Sequence, residues 1–393
     1  MGSISPRGPV LIIGGGIGGL SAALEFSSRN ISCHLFEKSN EFSEIGAGLQ
    51  LSPNAVRRLQ ALGLGSSLLE HAFAPSSIVI SDGASLKKLN QIPLGEFALA
   101  RYGAPYLVMM RSDLLLVLLD ALNDRSGVQL SLGKKFSSFI EDQLSVSARM
   151  ADGSTYEGAI LVGADGIRSK VRSQIAPDVA PAHTGFIARR ALIQSGLDQH
   201  RFFEHSETRV YLGRDAHLVH YPVRCGSAIN LVLVTRGSPS LHTWDGDVSL
   251  DDLEGSLGPF HVQLKEAVLG VKSWRSWSLF EVPAFRPWHS TRSVLIGDAA
   301  HAVVPFLAQG AAQAIEDAAS LGSMFGENSL NFGGALRSFQ EERYKRTTRI
   351  QKKSLNMASI YHMGGFARTA RNFGLGLIPS TALASQYDWI YKY

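Results

Sequence analysis

Cysteine and long apolar runs are scarce in this sequence of 393 residues. Only Cys33 and Cys225 are present, which excludes a disulfide framework and a CxxC redox motif and favours a reducing compartment. Redox enzymes that depend on a close cysteine pair are therefore not expected. The apolar run Leu114–Leu119 falls short of the roughly 18 residues that a membrane span requires. Only about eight residues precede the first apolar strand, so we expect no signal peptide and a cytosolic location.

Charge of one sign is also not concentrated anywhere. The 38 basic and 34 acidic residues leave a net charge of +4, without a run of five or six lysines and arginines. Nucleic acid is therefore not an expected partner. The small positive excess either suits anionic small ligands or has no functional meaning. Hydrophobic residues at 45% and charged residues at 18% are typical of a globular protein, and the length fits two closely joined domains. The sequence suggests no metal site.

The N-terminal part predicts a strand, a helix and a second strand. Val10–Ile13 is a continuous apolar run, as expected for a parallel strand buried on both faces. Ile17, Leu20 and Leu24 follow at helical spacing, and Cys33–Phe36 is a second apolar strand. We interpret this segment as one βαβ unit.

A glycine fingerprint lies between the first strand and the helix. Gly14, Gly16 and Gly19 fit the pattern G-x-G-x-x-G, and Glu37 ends the next strand. The three glycines would permit a tight turn, close approach of a pyrophosphate and close helix–strand packing, while the carboxylate would accept hydrogen bonds from ribose hydroxyls. The motif predicts dinucleotide binding, and Glu37 favours FAD or NAD over NADP because a 2′-phosphate would be repelled. Lys38 either contributes to this site or is a solvated surface lysine.

Further elements follow from periodicity. We expect a helical segment across Ser52–Leu69, a helix over Asp113–Asn123 with Ser112 as its N-cap, and an antiparallel meander over Gly133–Tyr156. Ile160–Val162 predicts another buried strand.

The character of the chain changes between about 176 and 288. There, alternating aromatic and β-branched residues indicate a mostly β sheet, a natural wall for a substrate pocket. The α/β pattern then returns with a strand at Ser293–Ile296 and a small-residue helix at Gly310–Phe325. We therefore predict a discontinuous nucleotide-binding domain of residues 1–75, 105–175 and 289–330, a β-rich domain of residues 76–104 and 176–288, and a C-terminal helical segment of residues 331–393.

Two further glycine–acid turns accompany the fingerprint, at Gly163–Ser169 and Gly297–His301. The chain also contains the stretches Glu44–Ala55 and Gly297–Ala318 and an aromatic tail near Trp389–Tyr391. With this set of motifs it resembles the salicylate-hydroxylase-like class A flavoprotein monooxygenases, which are the single-component aromatic hydroxylases. The resemblance implies an α/β fold. It consists of a glutathione-reductase-like FAD-binding Rossmann domain with an inserted β-rich substrate domain and a C-terminal helical segment.

The resemblance also implies where FAD is held. Gly14, Gly16 and Gly19 would hold the pyrophosphate, Glu37 the adenosine ribose, and Arg111 the phosphate and ribityl region.

Four further features would complete this set. Asp165 belongs to a motif tied to both FAD and NAD(P)H, and Asp298 would bind a ribityl hydroxyl. Gly310 and Ala311 begin a helix aimed at the flavin pyrimidine, whose N1–O2 edge becomes anionic on reduction. The loop Gly46–Gly48 would lie along the isoalloxazine ring, where side chains would clash.

The expected chemistry follows from the same resemblance. The sequence contains no second G-x-G-x-x-G that opens a second βαβ unit, so NAD(P)H has no dedicated domain and must approach transiently. NAD(P)H would reduce FAD, and O2 would then give a C4a-hydroperoxyflavin that hydroxylates or epoxidises a small electron-rich aromatic substrate. We expect a monomer or homodimer, and secondary metabolism as one setting.

The candidate substrate residues lie on the β-rich part. If a strand begins at His217, the side chains of His217 and Tyr221 lie on one face of the sheet and that of His220 lies on the other. His217 or Tyr221 would help to deprotonate a phenol or enol, unless both are packing residues. Arg190 would stabilise a phenolate or carboxylate, with surface charge as the alternative. His301 would order its loop, with proton transfer as the alternative.

Two other readings of the function stay open. One is a flavin reductase or dehydrogenase on the same fold without oxygen transfer, and the other is a silent flavoprotein that binds a ligand or partner. The sequence does not distinguish a phenolic acid from a phenolic polyketide or an indole as substrate, nor NADH from NADPH.

Overall fold

The computed structural model describes residues 8–42, 48–237, 246–327 and 332–393. The strands, in chain order, are β1 (Val10–Ile13), β2 (Cys33–Phe36), β3 (Gly48–Leu51), β4 (Ser77–Asp82), β5 (Lys88–Pro93), β6 (Leu107–Met110), β7 (Val128–Ser131), β8 (Phe136–Glu141), β9 (Val146–Met150), β10 (Thr155–Gly158), β11 (Ile160–Gly163), β12 (Ala182–Gln194), β13 (Thr208–Gly213), β14 (Ala216–Val223), β15 (Ala228–Arg236), β16 (Gly246–Asp247), β17 (Arg275–Glu281) and β18 (Ser293–Leu295).

The α-helices are α1 (Ile17–Ser27), α2 (Pro53–Ala61), α3 (Gly65–His71), α4 (Gly95–Tyr102), α5 (Arg111–Asn123), α6 (Lys170–Ile175), α7 (Leu250–Ser256), α8 (Val262–Leu269), α9 (Asp298–His301), α10 (Gly310–Glu327), α11 (Phe332–Tyr361), α12 (Gly365–Leu377), α13 (Ser380–Ser385) and α14 (Asp388–Tyr391). None of the described helices contains a stretch long and apolar enough to cross a membrane.

A five-stranded parallel sheet has the order β18-β11-β1-β2-β7. Its central strands are apolar along their whole length because helices cover both faces. Leu11 and Ile12 are fully buried, and α1 packs against α10 through Phe26 and Phe325, whose ring centroids lie 6.0 Å apart. The carboxyl ends of β1, β2, β11 and β18 consequently meet at one edge.

A second sheet of eight strands has the order β16-β17-β12-β15-β14-β13-β4-β5. One face is covered by α7 and α8, where Leu218 and Leu231 pack with Leu253 and Leu264. The other face meets the C-terminal helices and the turn Pro305–Leu307. The predicted domain boundaries stay a prediction.

The observed helices differ from the sequence expectation at two places. The segment Ser52–Leu69 is two helices, α2 and α3, because Gly63 adopts a positive φ of 88° between them. Helix α5 begins at Arg111 rather than Asp113, so Ser112 lies inside it, and its hydroxyl donates to Asp113 Oδ1 at 3.2 Å. The meander over Gly133–Tyr156 is present as β8, β9 and β10.

Charged side chains in the interior join α2, α10 and α11. Arg343 lies between two carboxylates, with Nη1 2.6 Å from Glu316 Oε2 and Nε 2.6 Å from Asp317 Oδ1. Arg346 Nε lies 2.6 Å from Glu316 Oε2, and Asn54 donates from Nδ2 to Glu316 Oε1 at 2.6 Å. We call these five residues the buried ion cluster. The opposite charges and the hydrogen bonds compensate the cost of burying these charged groups away from water.

The two cysteines differ in accessibility, which gives a first prediction. Cys33 is buried in β2, and burial raises the pKa of its thiol to about 12, whereas Cys225 is exposed. Because the thiolate is the reactive form, Ellman's reagent should titrate one thiol in the native protein and two after denaturation. The variant Cys225→Ser identifies the reactive thiol, since it should leave no fast-reacting group. Rapid labelling that persists in this variant would contradict the assignment.

Candidate functional site

The three glycine–acid turns follow strands of the parallel sheet and therefore lie side by side. The glycine fingerprint follows β1, Asp165 comes two residues after β11, and Asp298 follows β18 by three residues. Parallel strands present their carboxyl ends at the same edge, which is where ligands bind in open α/β sheets. Glu37, at the end of β2, completes the row.

One cleft of ≈ 870 Å³ runs along this edge. Most predicted cofactor-binding residues line it, namely Gly14, Gly16, Glu37, Lys38, Arg111, Asp165, Asp298, Gly310 and Ala311. The structure thus brings together residues that are up to 297 positions apart in the sequence, from Gly14 to Ala311. Gly19 and Gly48 do not line this cleft.

The glycine turn shows how tightly the backbone is packed. Gly14 has a φ of +106°, and a Cβ there would lie 2.4 Å from the Ala164 carbonyl oxygen. Glu37 Oε2 accepts the Gly15 N–H at 2.7 Å, so the carboxylate also closes the turn. At Gly16, by contrast, a Cβ would meet only Arg111 Nη2 at 3.9 Å. The space beside Gly16 therefore opens into the cleft.

The two acidic turns use their carboxylates differently. Asp165 accepts hydrogen bonds from the Ser169 hydroxyl and from the Lys170 and Val171 N–H groups, at 2.7 and 3.2 Å for the latter two, so it holds the start of α6. Burial raises the pKa of Asp165, although these hydrogen bonds oppose the rise. Asp298 is exposed in the cleft, and its carboxylate makes no hydrogen bond to the described residues.

The buried ion cluster extends to the turn before Asp298. Asp317 Oδ2 accepts the Gly297 N–H at 2.8 Å and lies 2.5 Å from His301 Nε2. Burial by itself raises the pKa of Asp317, but His301 and Arg343 outweigh this effect and hold the pKa below its usual value, so the carboxylate stays charged. Asp317 thereby fixes the turn that presents Asp298. The contact of His301 with Asp317 fits a role in ordering the loop.

A second group of candidates lies on the eight-stranded sheet. His217 and Tyr221 of β14 share the face that meets the turn Pro305–Leu307, since His217 contacts Phe306 with ring centroids 5.2 Å apart and Tyr221 packs with Leu307. His220 points to the opposite face and stacks on Tyr211. Two residues separate this turn from Gly310, which lines the cleft, so this face of the sheet lies close to the end of the cleft where the sequence predicts the flavin.

Arg190 of β12 lies on the same face as Tyr221. Its guanidinium is 5.2 Å from the centre of the Trp277 ring, and its charge lowers the pKa of Tyr221, which burial raises overall. Arg189 turns to the other face and donates to Thr235 Oγ1 at 2.7 Å. The alternation places one arginine on the wall.

Gly48, in the two-stranded sheet of β3 and β6, contacts the eight-stranded sheet. Its N–H donates to Asn230 Oδ1 at 3.0 Å, and a Cβ there would lie 2.6 Å from Asn230 Cγ. Asn230 pairs with Tyr221 in the sheet register. Gly46 and Ala47, the rest of the loop predicted to lie along the isoalloxazine ring, are outside the described residues.

Sequence reasoning missed several residues of the wall and cleft. These are Asn230, Gln50, whose Oε1 accepts from Tyr106 Oη at 2.5 Å, His362 and the cleft residues Lys134 and Lys135. Of these residues, only Asn230 is marked by the sequence, as a single asparagine in the apolar strand β15.

Comparisons with known proteins identify the family of the chain. Residues 7–354 match the family described as FAD binding domain. A 3-hydroxybenzoate 6-hydroxylase of Polaromonas naphthalenivorans (strain CJ2) is 34% identical over 93% of this chain and 90% of its own. A 3-amino-4-hydroxybenzoate 2-monooxygenase of Streptomyces platensis is 31% identical over 98% of this chain and 96% of its own.

A solved structure described as a salicylate hydroxylase substrate complex superposes with a TM-score of 0.84 and 25% identity. The superposition covers 99% of this chain and 96% of that one, which confirms the predicted α/β fold. The chain belongs to the FAD-binding-domain family and is a class A FAD-dependent aromatic monooxygenase that uses NAD(P)H.

Proposed function

We propose that the enzyme hydroxylates a small phenolic carboxylate. The observation that carries this proposal is the wall on which His217, Tyr221 and Arg190 share one face beside the turn Pro305–Leu307. The names of the relatives support it, since 3-hydroxybenzoate, 3-amino-4-hydroxybenzoate and salicylate each combine a phenol with a carboxylate.

The cleft residues fit FAD. The open space at Gly16 suits a pyrophosphate at the N-terminus of α1, and the carboxylate of Asp298, which makes no hydrogen bond to the part of the chain that the structure describes, suits a ribityl hydroxyl. We assign Gly14, Gly16 and Arg111 to the phosphates, Glu37 to the adenosine ribose and the N-terminus of α10, at Gly310 and Ala311, to the flavin pyrimidine.

Two further residues have structural roles in this proposal. We assign Gly19 to close packing of α1 on β1, and Asp165 to holding the loop at the shared FAD and NAD(P)H motif. Bound FAD supplies the activation of O2 and the transfer of one oxygen atom.

The protein's own contribution is to orient the substrate and increase its electron density. Arg190 and Val219 both pair with Val232, so the arginine lies two strand spacings, about 10 Å, across the sheet from the strand of His217 and Tyr221. A carboxylate held by Arg190 would leave the phenol near those two residues. Removal of the phenolic proton by His217, with Tyr221 as hydrogen-bond partner, activates the ring toward oxygen transfer.

The apolar surroundings serve the same reaction. Phe306, Leu307 and Val219 line the face between the candidate residues, and His217 and Tyr221 are almost completely buried. Exclusion of water strengthens electrostatic contacts and protects reactive intermediates. Lys38 lies exposed at the mouth of the cleft, where it is placed to meet an anionic cofactor.

Replacement of Arg190 tests the substrate assignment. In Arg190→Met, KM for 3-hydroxybenzoate should rise about 10- to 100-fold, the loss expected for one charge-assisted hydrogen bond, while KM for 3-hydroxybenzyl alcohol should change little. Arg189→Met, on the opposite face, is the matched control. Equal losses for both compounds would show that Arg190 does not recognise the carboxylate.

Isotopically labelled O2 tests the reaction itself. One labelled oxygen atom should appear in the hydroxylated product of a hydroxybenzoate panel. Sustained NAD(P)H oxidation without labelled product would instead favour a reductase without oxygen transfer.

A further inference from the structure

Two buried histidines share a hydrogen bond on the proposed substrate wall. His217 Nδ1 lies 2.8 Å from His362 Nε2, and the two residues are only 3% and 4% exposed. His362 directly follows the last residue of α11, and its ring contacts Phe186 and Phe306. Aromatic rings thus surround the pair.

The shared hydrogen bond links the protonation of the two outer nitrogens, His217 Nε2 and His362 Nδ1. When His217 donates its Nδ1–H, its Nε2 is an acceptor and His362 Nδ1 carries a proton; when His362 donates, the pattern reverses. A proton taken up at His217 Nε2 can therefore be matched by one released at His362 Nδ1. At the outer nitrogens one N–H bond forms and one breaks, the shared proton moves from His217 Nδ1 to His362 Nε2, and both rings end neutral.

Burial makes this exchange more favourable than protonation of a single ring. Burial and the neighbouring His362 lower the pKa of His217 well below its usual range. Burial, together with Arg236 and Arg371 and against Asp215, lowers the pKa of His362 to about 4. An isolated His217 would have to carry a buried positive charge after accepting a phenolic proton, whereas the pair would not.

The proton released from His362 Nδ1 needs an acceptor near this residue. Among the described residues, His362 Nδ1 has no hydrogen-bond partner although it is buried. The Asp215 N–H donates to the His362 carbonyl at 3.2 Å. Asp215, Arg236 and Gly364, which follow or surround this main-chain contact, line a polar cavity of ≈ 640 Å³, and the Asp215 side chain is exposed. A carboxylate or water in this cavity is a suitable proton acceptor.

We propose that His362 is the positioning residue through which His217 passes the phenolic proton from the substrate to the Asp215 side. The proposal rests on the proposed role of His217 as the group that accepts this proton. The groups that face the pair are Tyr361 of α11, Arg371 of α12, Asp215 in the turn before β14 and Arg236 at the end of β15.

Two substitutions separate proton transfer from packing. His362→Gln keeps an oxygen that accepts the His217 Nδ1–H but cannot pass the proton on, and His362→Phe keeps an aromatic ring. With 3-hydroxybenzoate as probe, both should lower kcat about 100-fold near neutral pH and recover toward pH about 10, where a phenol ionises unaided. KM should change little. Wild-type activity and pH profile in His362→Gln would overturn the relay.

A control and a spectroscopic measurement complete the test. His220→Gln, on the opposite face of the same strand, should keep the wild-type pH profile. If His217→Gln also keeps it, the proposed role of His217 as the proton acceptor fails; if only His217 variants change it, the relay alone fails. Nitrogen NMR of histidine-labelled holoenzyme should show both rings neutral at neutral pH, with one outer nitrogen protonated. An imidazolium in the pair would overturn the inference without any substrate being present.

Discussion

Arg343→Met should lower the free energy of unfolding by about 3–5 kcal/mol, because it leaves two buried carboxylates without their shared cation. Arg343 is fully buried, and it contacts both Glu316 and Asp317 at 2.6 Å. Burial by itself lowers the pKa of Arg343, but the two carboxylates raise it above its usual value. Methionine fills similar volume, so the loss would report charge rather than a cavity. Urea unfolding followed by circular dichroism measures the difference.

The same substitution should weaken FAD binding, since Asp317 holds the Gly297 N–H and thereby the turn that carries Asp298. Lys352→Met is the matched control, because Lys352 lies exposed on the same helix and should change the stability by less than about 0.5 kcal/mol. Equal stability of the two variants would show that the cluster is not required for folding. Recovery of stability in Arg343→Met/Glu316→Gln/Asp317→Asn would confirm that unpaired charge is the cause.

The sequence allowed the FAD edge to be predicted because its signals are local. Each glycine or acidic turn comes directly after a short apolar strand, and parallel strands must bring such turns to one edge. The alternation of β14 likewise placed His217 and Tyr221 on one face and His220 on the other, as the contacts show.

The rest depends on contacts between distant segments. From the sequence alone, Glu316, Asp317 and Arg343 are consistent with solvent-exposed helix faces. Only the packing of α10 on α11 shows that they are buried. His362 is separated from His217 by 145 positions, and nothing in its neighbourhood marks it as a partner. The proximity of Gly48 to the flavin stays a prediction, and its contact with Asn230, 182 positions away, could not be foreseen from the sequence.

Substitution by alanine should have different effects at two glycines of the fingerprint, on FAD binding at Gly16 and on stability at Gly19. Gly16→Ala should leave the apoprotein's stability nearly unchanged, because its φ of −76° suits alanine and the new Cβ would meet only Arg111 Nη2 at 3.9 Å. The methyl group would nevertheless occupy the space beside the N-terminus of α1 that we assign to the pyrophosphate. We expect the Kd for FAD to rise at least about 100-fold, roughly 2.7 kcal/mol. Titration of apoprotein with FAD, followed by quenching of flavin fluorescence, measures this.

Gly19→Ala should instead damage the fold, since its Cβ would lie 1.9 Å from the Gly14 carbonyl oxygen, which is backbone and cannot turn away. Helix α1 would have to move off β1, at a cost of about 3 kcal/mol or more, and FAD binding would fall with it. The two variants therefore separate the ligand contact from the packing contact within one motif. If Gly16→Ala bound FAD like the wild type, the pyrophosphate could not lie against Gly16, and the assignment of this cleft to FAD would lose its main geometric support.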